Sequence, residues 1–472
     1  MELIQKTRNY TQEQISFIEE DIKKNIILKA TAGSGKSQST VERIRYLIAN
    51  GVPADRIIMF SYTVAACEEI KKRLNNDKVK VTTIHAFCQS MLTKMGKHKN
   101  IVDIFAFIEW YKLKTKPKPG SSSELRDQHY RATSKMYEDA MHIASEITAY
   151  KLQIADGQKC RLPKFMVEYW QFTKETKSRD FSDMLIEVNN LLKENKWLRL
   201  FKNQYDYIIV DEAQDTSTIQ MRILLALNAK YYTLVLDKNQ SIFAYSGANV
   251  DLILSMLKKR RDCIEKTLSM NFRSAKNIVE HANKYSDLTA IPFSQEEGVV
   301  HQDVILMEQL LPLLKKHEEV AILARTNSVI KDIEFELLQR KIPIRYFNYL
   351  NQKEIDELKK GTERPATAKK IKALLYTYKS AENIVNFIEN NQDQKSFVSS
   401  IHKSKGKEWD VCVIVNCMSP ELIEHNNIQL DEKQAKSLTF DPSNEEDFES
   451  QNVFYVACSR PRNEIYFMLH GI

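Results

Sequence analysis

Short apolar runs recur along this chain and alternate with longer stretches of helical periodicity. Residues 25–29, 56–60, 207–210, 232–236, 320–323 and 411–415 form such runs, each four or five residues long. Runs of this length and composition, separated by helix-length segments, read as strands of parallel sheets covered by helices. They fall into an early and a late group, which predicts two α/β domains. Residues 101–194 carry helical periodicity with many Tyr and Lys and no strand-like run, and residues 112–123 within them are a loop by composition. A helical insertion over 91–195 is therefore expected, dividing the first domain into 1–90 and 196–268, with the second domain over 269–472. A polar segment at 351–394 interrupts the late domain. Residues 424–446, acidic and rich in Asn, are expected to form a mobile surface loop. No internal repeat is present.

Composition adds bounds and little mechanism. A chain of 472 residues exceeds what one hydrophobic core organises, in keeping with two or more domains. The formal net charge of +7 permits a polyanionic partner and does not demonstrate one. The seven cysteines are scattered without a C-x-x-C pair, so they read as buried thiols in a reducing compartment, with neither a zinc site nor a disulfide framework. The start, Met1 to Lys6, is too polar for a signal peptide, and no apolar run reaches membrane-spanning length. A soluble, cytoplasmic protein with no membrane partner is expected.

The candidate chemistry lies at the ends of the apolar runs. Asp211 and Glu212 directly follow the run 207–210. Adjacent carboxylates there are costly to desolvate, and such a pair persists where a divalent cation or a reacting water compensates for it. Upstream, Ala30-Thr31-Ala32-Gly33-Ser34-Gly35-Lys36-Ser37 follows another run and opens a helical stretch. A strand, a Gly-containing turn and a helix N-terminus suit a phosphate chain, with backbone N–H groups of Ala32, Gly33, Ser34 and Gly35 around it. Lys36 is then expected on the β- and γ-phosphates of ATP, and Ser37 on Mg2+ together with Asp211. Ala30 stands where the strict phosphate-loop pattern has Gly. Gln240, after the run 232–236, is placed to hydrogen-bond the γ-phosphate. Arg273 and Arg460, in the late domain, are candidates to stabilise charge developing on that phosphate, with the nucleotide in a cleft between domains.

These elements, in this order, resemble the UvrD/Rep family of superfamily 1 DNA helicases from about Tyr10 to Arg462. Ala30 to Ser37 matches the family's own phosphate loop, which also begins with Ala. Thr11-Gln12-Glu13-Gln14 resembles the adenine-reading element, which implies Gln14 on the base. Arg43 occupies the position of a family arginine near the nucleotide. Residues 61–70, Thr83-Ile84-His85 and Asp180-Phe181-Ser182-Asp183 match further elements, although Val64 and Ala65 replace an Asn and a Lys. Residues 240–248 resemble Gln-Ser-Ile-Tyr-x-Trp-Arg-Gly-Ala, with Ser246 in place of the arginine. Phe272 stands where the family stacks an aromatic on the adenine, Arg273 and Arg460 where it places its two arginine fingers, and Glu408 where it contacts the ribose. The resemblance implies two RecA-like P-loop domains, a DNA-dependent ATPase and 3′-to-5′ movement on single-stranded DNA. Glu212 is then expected to polarise the attacking water. Stacking platforms hold single strands, and Tyr62, Phe243 and Tyr245 each follow a predicted strand. With Thr83, His85 and His402 they make up the expected DNA track.

Two departures bear on function. Residues 347–397 replace the family's large second-domain insertion with a stub of about one helical hairpin. The chain also stops one strand beyond Arg460, where the strand-separating hairpin of the family follows. Translocation is thus better supported than autonomous duplex unwinding. Two readings are carried forward. The first is an ATP-driven single-strand translocase or helicase acting on single-stranded DNA or a tailed duplex, alone or with a replication or repair partner. The second is a nucleotide- and DNA-end-sensing subunit that controls a partner nuclease, as in phage defence.

Overall fold

The computed structural model describes residues 10–243, 247–346, 368–441 and 447–471. The chain divides into two compact units. One comprises Met1–Lys29 with Lys36–Thr267, the other Ala30–Gly35 with Leu268–Ile472. The phosphate-loop turn is therefore grouped with the late residues, a division that the apolar runs do not reveal.

The first unit is built on β1 (Asn25–Ala30), β2 (Ile57–Phe60), β3 (Lys80–Thr82), β6 (Tyr207–Val210), β7 (Tyr231–Leu236) and β8 (Cys263–Leu268), in the order β3-β2-β6-β7-β1-β8. The pairs β1/β7, β7/β6, β6/β2 and β2/β3 are all parallel. Ile58, Phe60, Ile208 and Val210 face one apolar cluster, while Ile57, Met59, Tyr207 and Ile209 face another. Both faces of these strands are buried, which explains runs without polar alternation. Each fully buried Ile or Leu contributes about 1.5–3 kcal/mol of transfer free energy, so the sheet holds its strand ends rigidly. The ends of β1, β7 and β6, three neighbours in this order, lead into the phosphate loop, Gln240 and Asp211.

The helical insertion has a core of its own, in which Phe107, Ile108, Ile143, Met166, Tyr169 and Phe172 are buried together. At its root a short parallel pair joins β4 (Asn100–Ile101) to β5 (Ser178–Arg179), where the sequence suggested no strand. Two-residue strands are too short to leave an apolar run, which is why the pattern missed them. Lys151, buried in this unit, sits 2.8 Å from Asp180 Oδ2 and 2.7 Å from Asp183 Oδ1, and the Tyr169 hydroxyl donates to Asp180 Oδ2 at 2.8 Å. Removing one member of such a buried set leaves a charge unpaired, which is costly. Asp180 also caps the helix Phe181–Leu191.

The second unit carries a five-stranded parallel sheet in the order β11-β15-β14-β12-β13, made of β11 (Val299–Ile305), β12 (Val320–Ala324), β13 (Phe397–Ser400), β14 (Trp409–Val415) and β15 (Pro461–Met468). A separate parallel pair joins β9 (Met270–Asn271) to β10 (Ile291–Pro292). Helices Ala368–Tyr378 and Ala381–Asn390 pack together, as a short stub requires; residues 347–367 of that expectation lie outside the described residues. The expected mobile loop at 424–446 differs. Helices Pro420–His425 and Glu432–Leu438 occupy part of it, with a capping box at Asp431, and Leu438 and Phe440 are buried. Two apolar side chains among polar neighbours anchor that segment. Five cysteines are buried and Cys160 and Cys263 only partly so, and all seven are free thiols. Among the described residues no helix is long and apolar enough to cross a membrane.

Candidate nucleotide and DNA site

The phosphate loop follows β1. Gly33 and Gly35 have φ of 71° and 77°, the left-handed region in which side chains are strained. Ser34 Oγ donates to Thr31 O at 2.7 Å, closing the turn on itself. Asn271 secures it further. Its Nδ2 donates to Ala32 O at 2.9 Å, and its Oδ1 accepts from the backbone N–H groups of Arg273 at 2.8 Å and Ser274 at 2.9 Å. The Phe272 N–H donates to Gly33 O at 2.9 Å. A Cβ on Gly33 would lie 2.8 Å from Arg273 Cβ, so the close approach as well as the φ demands glycine. The sequence assigns Asn271 no role, although it directly precedes Phe272 and Arg273.

Lys36 and Ser37 begin the helix Lys36–Ala49, whose first N–H groups lack intrahelical acceptors. Lys36 Nζ is 3.8 Å from Glu212 Oε1, and Ser37 Oγ donates to Asp211 Oδ2 at 3.4 Å. The structure thus brings together four of the predicted residues. Burial, reinforced by the Glu212 charge and opposed by Lys36, pushes the Asp211 carboxyl up to about 7. A buried carboxylate this uncomfortable, with a hydroxyl beside it, fits a hard divalent cation whose other ligands are phosphate oxygens and water. Among the described residues no group of three or more His, Cys, Asp or Glu could hold a metal by itself. Glu212 adopts φ 51°, ψ 43°, a left-handed conformation that costs a non-glycine residue about 1–3 kcal/mol and is met at functional sites.

A buried polar chain extends from this cluster. Gln214 Nε2 donates to Glu212 Oε2, Gln214 Oε1 accepts from the Asp237 N–H at 3.2 Å, and Gln240 Nε2 donates to Asp237 Oδ2 at 2.7 Å. Gln240 is therefore linked to the carboxylate pair through Gln214 and Asp237. Neither linker was assigned a role from sequence, and their signal was only proximity to the motif residues.

Other expectations meet a different outcome. Arg43 does not present its guanidinium to a ligand: it is buried, and its Nη atoms donate to the carbonyls of Ile18, Glu20 and Asp21. It pins the segment after the helix Gln12–Ile18. Gln14 Oε1 accepts from the Thr11 N–H at 3.0 Å in a capping box, so its carboxamide oxygen is committed to that helix end. In the second unit, Arg273 Nε is 2.6 Å from Glu408 Oε2 and its Nη1 donates to Ser459 O at 3.1 Å. Arg460 is 1% exposed, with donors on Val456 O, Lys407 O and Ser459 Oγ. It serves the turn before β15 in this conformation.

On the expected DNA track, Tyr62 is 43% exposed and stacks on Phe243, with centroids 5.1 Å apart and planes at 24°. His85 packs edge-on against Phe181 at 5.0 Å, and burial lowers its pKa. Tyr62, His85 and Phe181 line a cavity of about 300 Å³ together with Thr148 and Tyr169. Thr83 sits at a helix end. It is buried, and its hydroxyl oxygen caps the helix Ile84–Lys94 by accepting from the Ala86 N–H at 3.1 Å. His402 is half-buried on the short helix Ile401–Ser404. Tyr245 and Ser246 lie outside the described residues.

Two protein-family models match this chain. The model of the UvrD/REP helicase N-terminal domain matches residues 10–261, and that of the UvrD-like helicase C-terminal domain matches residues 351–471. A Mycoplasma capricolum protein named "Probable DNA helicase II homolog" is 28% identical over 368 residues, 68% of this chain and 50% of that protein. "ATP-dependent DNA helicase PcrA" of Staphylococcus epidermidis is 26% identical over 378 residues, and that of Staphylococcus aureus 25% over 375, each match covering 71% of this chain and 50% of the relative. The chain spans about half the length of the curated relatives it matches. These relatives carry helicase names, and none supports a nuclease-controlling subunit. Since the N-terminal match alone takes in more than half of the residues, from the capping box at Thr11 through the phosphate loop to the carboxylate pair, the chain belongs to the UvrD/REP helicase family.

Proposed function

We propose that this chain is a DNA-dependent ATPase that moves 3′ to 5′ along single-stranded DNA. The observation that carries the reading is the clustering of Lys36, Ser37, Asp211 and Glu212 at the ends of parallel strands, beside a glycine turn suited to phosphate. Lys36 and the loop N–H groups bind and orient the triphosphate. Glu212 orients the attacking water. Ser37 and Asp211 hold Mg2+, which supplies positive charge against the phosphate oxygens. Arg273 stabilises charge that develops on the transferred phosphoryl group, and Gln240, linked through Gln214 to Glu212, senses the γ-phosphate. Tyr62 and Phe243 offer faces on which bases stack.

The test is steady-state ATP hydrolysis with and without single-stranded DNA, paired with displacement of streptavidin from biotin at either end of an oligonucleotide. Stimulation by DNA and faster displacement at the 5′ end are expected. Hydrolysis indifferent to DNA would overturn the reading, and displacement at the 3′ end would reverse the polarity. Tailed duplexes under the same conditions separate translocation from unwinding.

A further inference from the structure

Phe272 and Phe293 are 38% and 60% exposed, yet their rings touch, with centroids 5.0 Å apart and planes at 46°. Single exposed aromatics are ordinary. Two in contact, both open to solvent, form a surface that something flat and apolar would cover. The backbone holds the pair in place. Ile291 pairs with Met270 and Pro292 with Asn271 in the parallel β9/β10 ribbon, and the Phe293 N–H donates to Asn271 O at 2.9 Å. One step further along this register, Phe293 falls opposite Phe272. Residues opposite one another in paired strands send side chains to the same face.

The ribbon is also tied to the phosphate loop of its own unit, through the Phe272 N–H to Gly33 O at 2.9 Å and Asn271 Nδ2 to Ala32 O at 2.9 Å. The ring pair therefore stands beside the turn that suits the phosphates, where the base of the same nucleotide must lie within one ribose of them. We propose that Phe293 is a specificity-determining residue of the nucleotide site, forming with Phe272 a two-ring platform for the purine base of the triphosphate. Stacking uses the π-face and the area of the base, and it reads no hydrogen-bond pattern. Phe293 thus favours purines over pyrimidines and does not separate adenine from guanine. Nothing in the local sequence, Ile-Pro-Phe-Ser, announces this role. It emerges from pairing across twenty residues of chain.

The inference rests on the proposed ATPase, and its test keeps the two apart. KM and kcat for ATP, GTP, CTP and UTP are measured for the wild type, Phe293→Ala, Phe293→Leu and Phe293→Tyr, with inorganic tripolyphosphate as a competitive, base-free probe. In Phe293→Ala, KM for ATP and GTP should rise together by about 5- to 150-fold, with a smaller rise for CTP and UTP, as expected for loss of one stacking face. The kcat values and the tripolyphosphate inhibition constant should stay near wild type. Phe293→Tyr should restore KM, and Phe293→Leu should fall between. An unchanged KM, equal rises for all four nucleotides, or a parallel rise for tripolyphosphate would each overturn the platform. A change confined to the half-saturating DNA concentration would reassign the ring to the strand. If the wild type hydrolyses no nucleotide, the ATPase reading fails first. Tripolyphosphate and nucleotide binding by fluorescence then still test Phe293.

Discussion

Lys36, Ser37, Asp211 and Glu212 are joined by ion pairs and hydrogen bonds at strand ends buried on both faces, and Gln214 and Asp237 extend the set without a break to Gln240. Tyr62 and Phe243, in the same unit, stack on one another and remain partly open to solvent. The contrast follows from what each group must do. Charge stabilisation falls steeply with misplacement, so its groups must be fixed before the ligand arrives. A stacking platform meets a base whose position along the strand changes, and what that task needs is a ring face open to solvent.

The largest expected effect tests the buried cluster. Lys36→Ala removes the cation facing the triphosphate and should abolish turnover with a marked loss of nucleotide affinity. Glu212→Gln keeps the phosphate contacts and loses the orientation of water, so it should bind ATP at least as well as wild type while turnover collapses. Nucleotide affinity from equilibrium titration decides. If both variants bind equally weakly, the cluster acts as one structural block and the separate roles fall.

Arg273 asks whether an arginine already held in an ion pair with Glu408 also serves the transferred phosphoryl group. Arg273→Ala should lower kcat by about 10³-fold or more with a small change in KM, because fingers act chiefly on charge formed in the transition state. Its partner makes the result sharper. Glu408→Gln removes the 2.6 Å ion pair and leaves Arg273 in place, so it should raise KM while kcat changes far less. A kcat in Arg273→Ala within a few-fold of wild type would take this arginine out of the chemistry.

The same contrast explains what could be foreseen. Strands buried on both faces leave uninterrupted apolar runs, so the central strands of both sheets and the motifs at their ends were legible, with Ser37 expected beside Asp211. Side chains that serve the backbone leave no such trace. Arg43 and Thr83 occupy motif positions expected to touch ligands, and the fold spends them on the carbonyls of Ile18, Glu20 and Asp21 and on the Ala86 N–H. Asn271, Gln214 and Asp237 were passed over for the same reason, since their role depends on partners far along the chain. The β4/β5 pair and the helices within 420–438 were hidden by shortness and by polar composition.

A smaller effect is expected on the strand side. Tyr62→Ala should weaken single-strand binding by about 1–3 kcal/mol without marked sequence preference, since every base has a face to stack. Because Tyr62 and Phe243 stack on one another, Tyr62→Ala and Phe243→Ala should combine less than additively. DNA-free hydrolysis should persist, because both rings are assigned to the strand and neither to the nucleotide. The half-saturating oligonucleotide concentration in the ATPase assay reports the loss. Full additivity would mean that the two rings serve different bases.

The smallest effect concerns Thr83, which stands between the two classes. Its motif neighbour His85 lines the cavity beside Tyr62, whereas its own hydroxyl is an N-cap, accepting from the Ala86 N–H at 3.1 Å on a buried helix end. Loss of a Thr cap costs about 0.5–2 kcal/mol, because one N–H of the first turn is left without an acceptor. Thr83→Ala should therefore lower thermal stability by a few degrees, given about 2–4 °C per kcal/mol in a unit of this size. Thr83→Ser, which keeps the hydroxyl, should recover most of it. The half-saturating DNA concentration should stay at the wild-type value in both variants, since Thr83 is buried and its hydroxyl oxygen is turned to its own helix. Were Thr83→Ala instead to keep its melting temperature and lose DNA affinity, Thr83 would move to the strand-binding surface, and the line drawn here between fixed framework and open platform would have to run through the helix Ile84–Lys94.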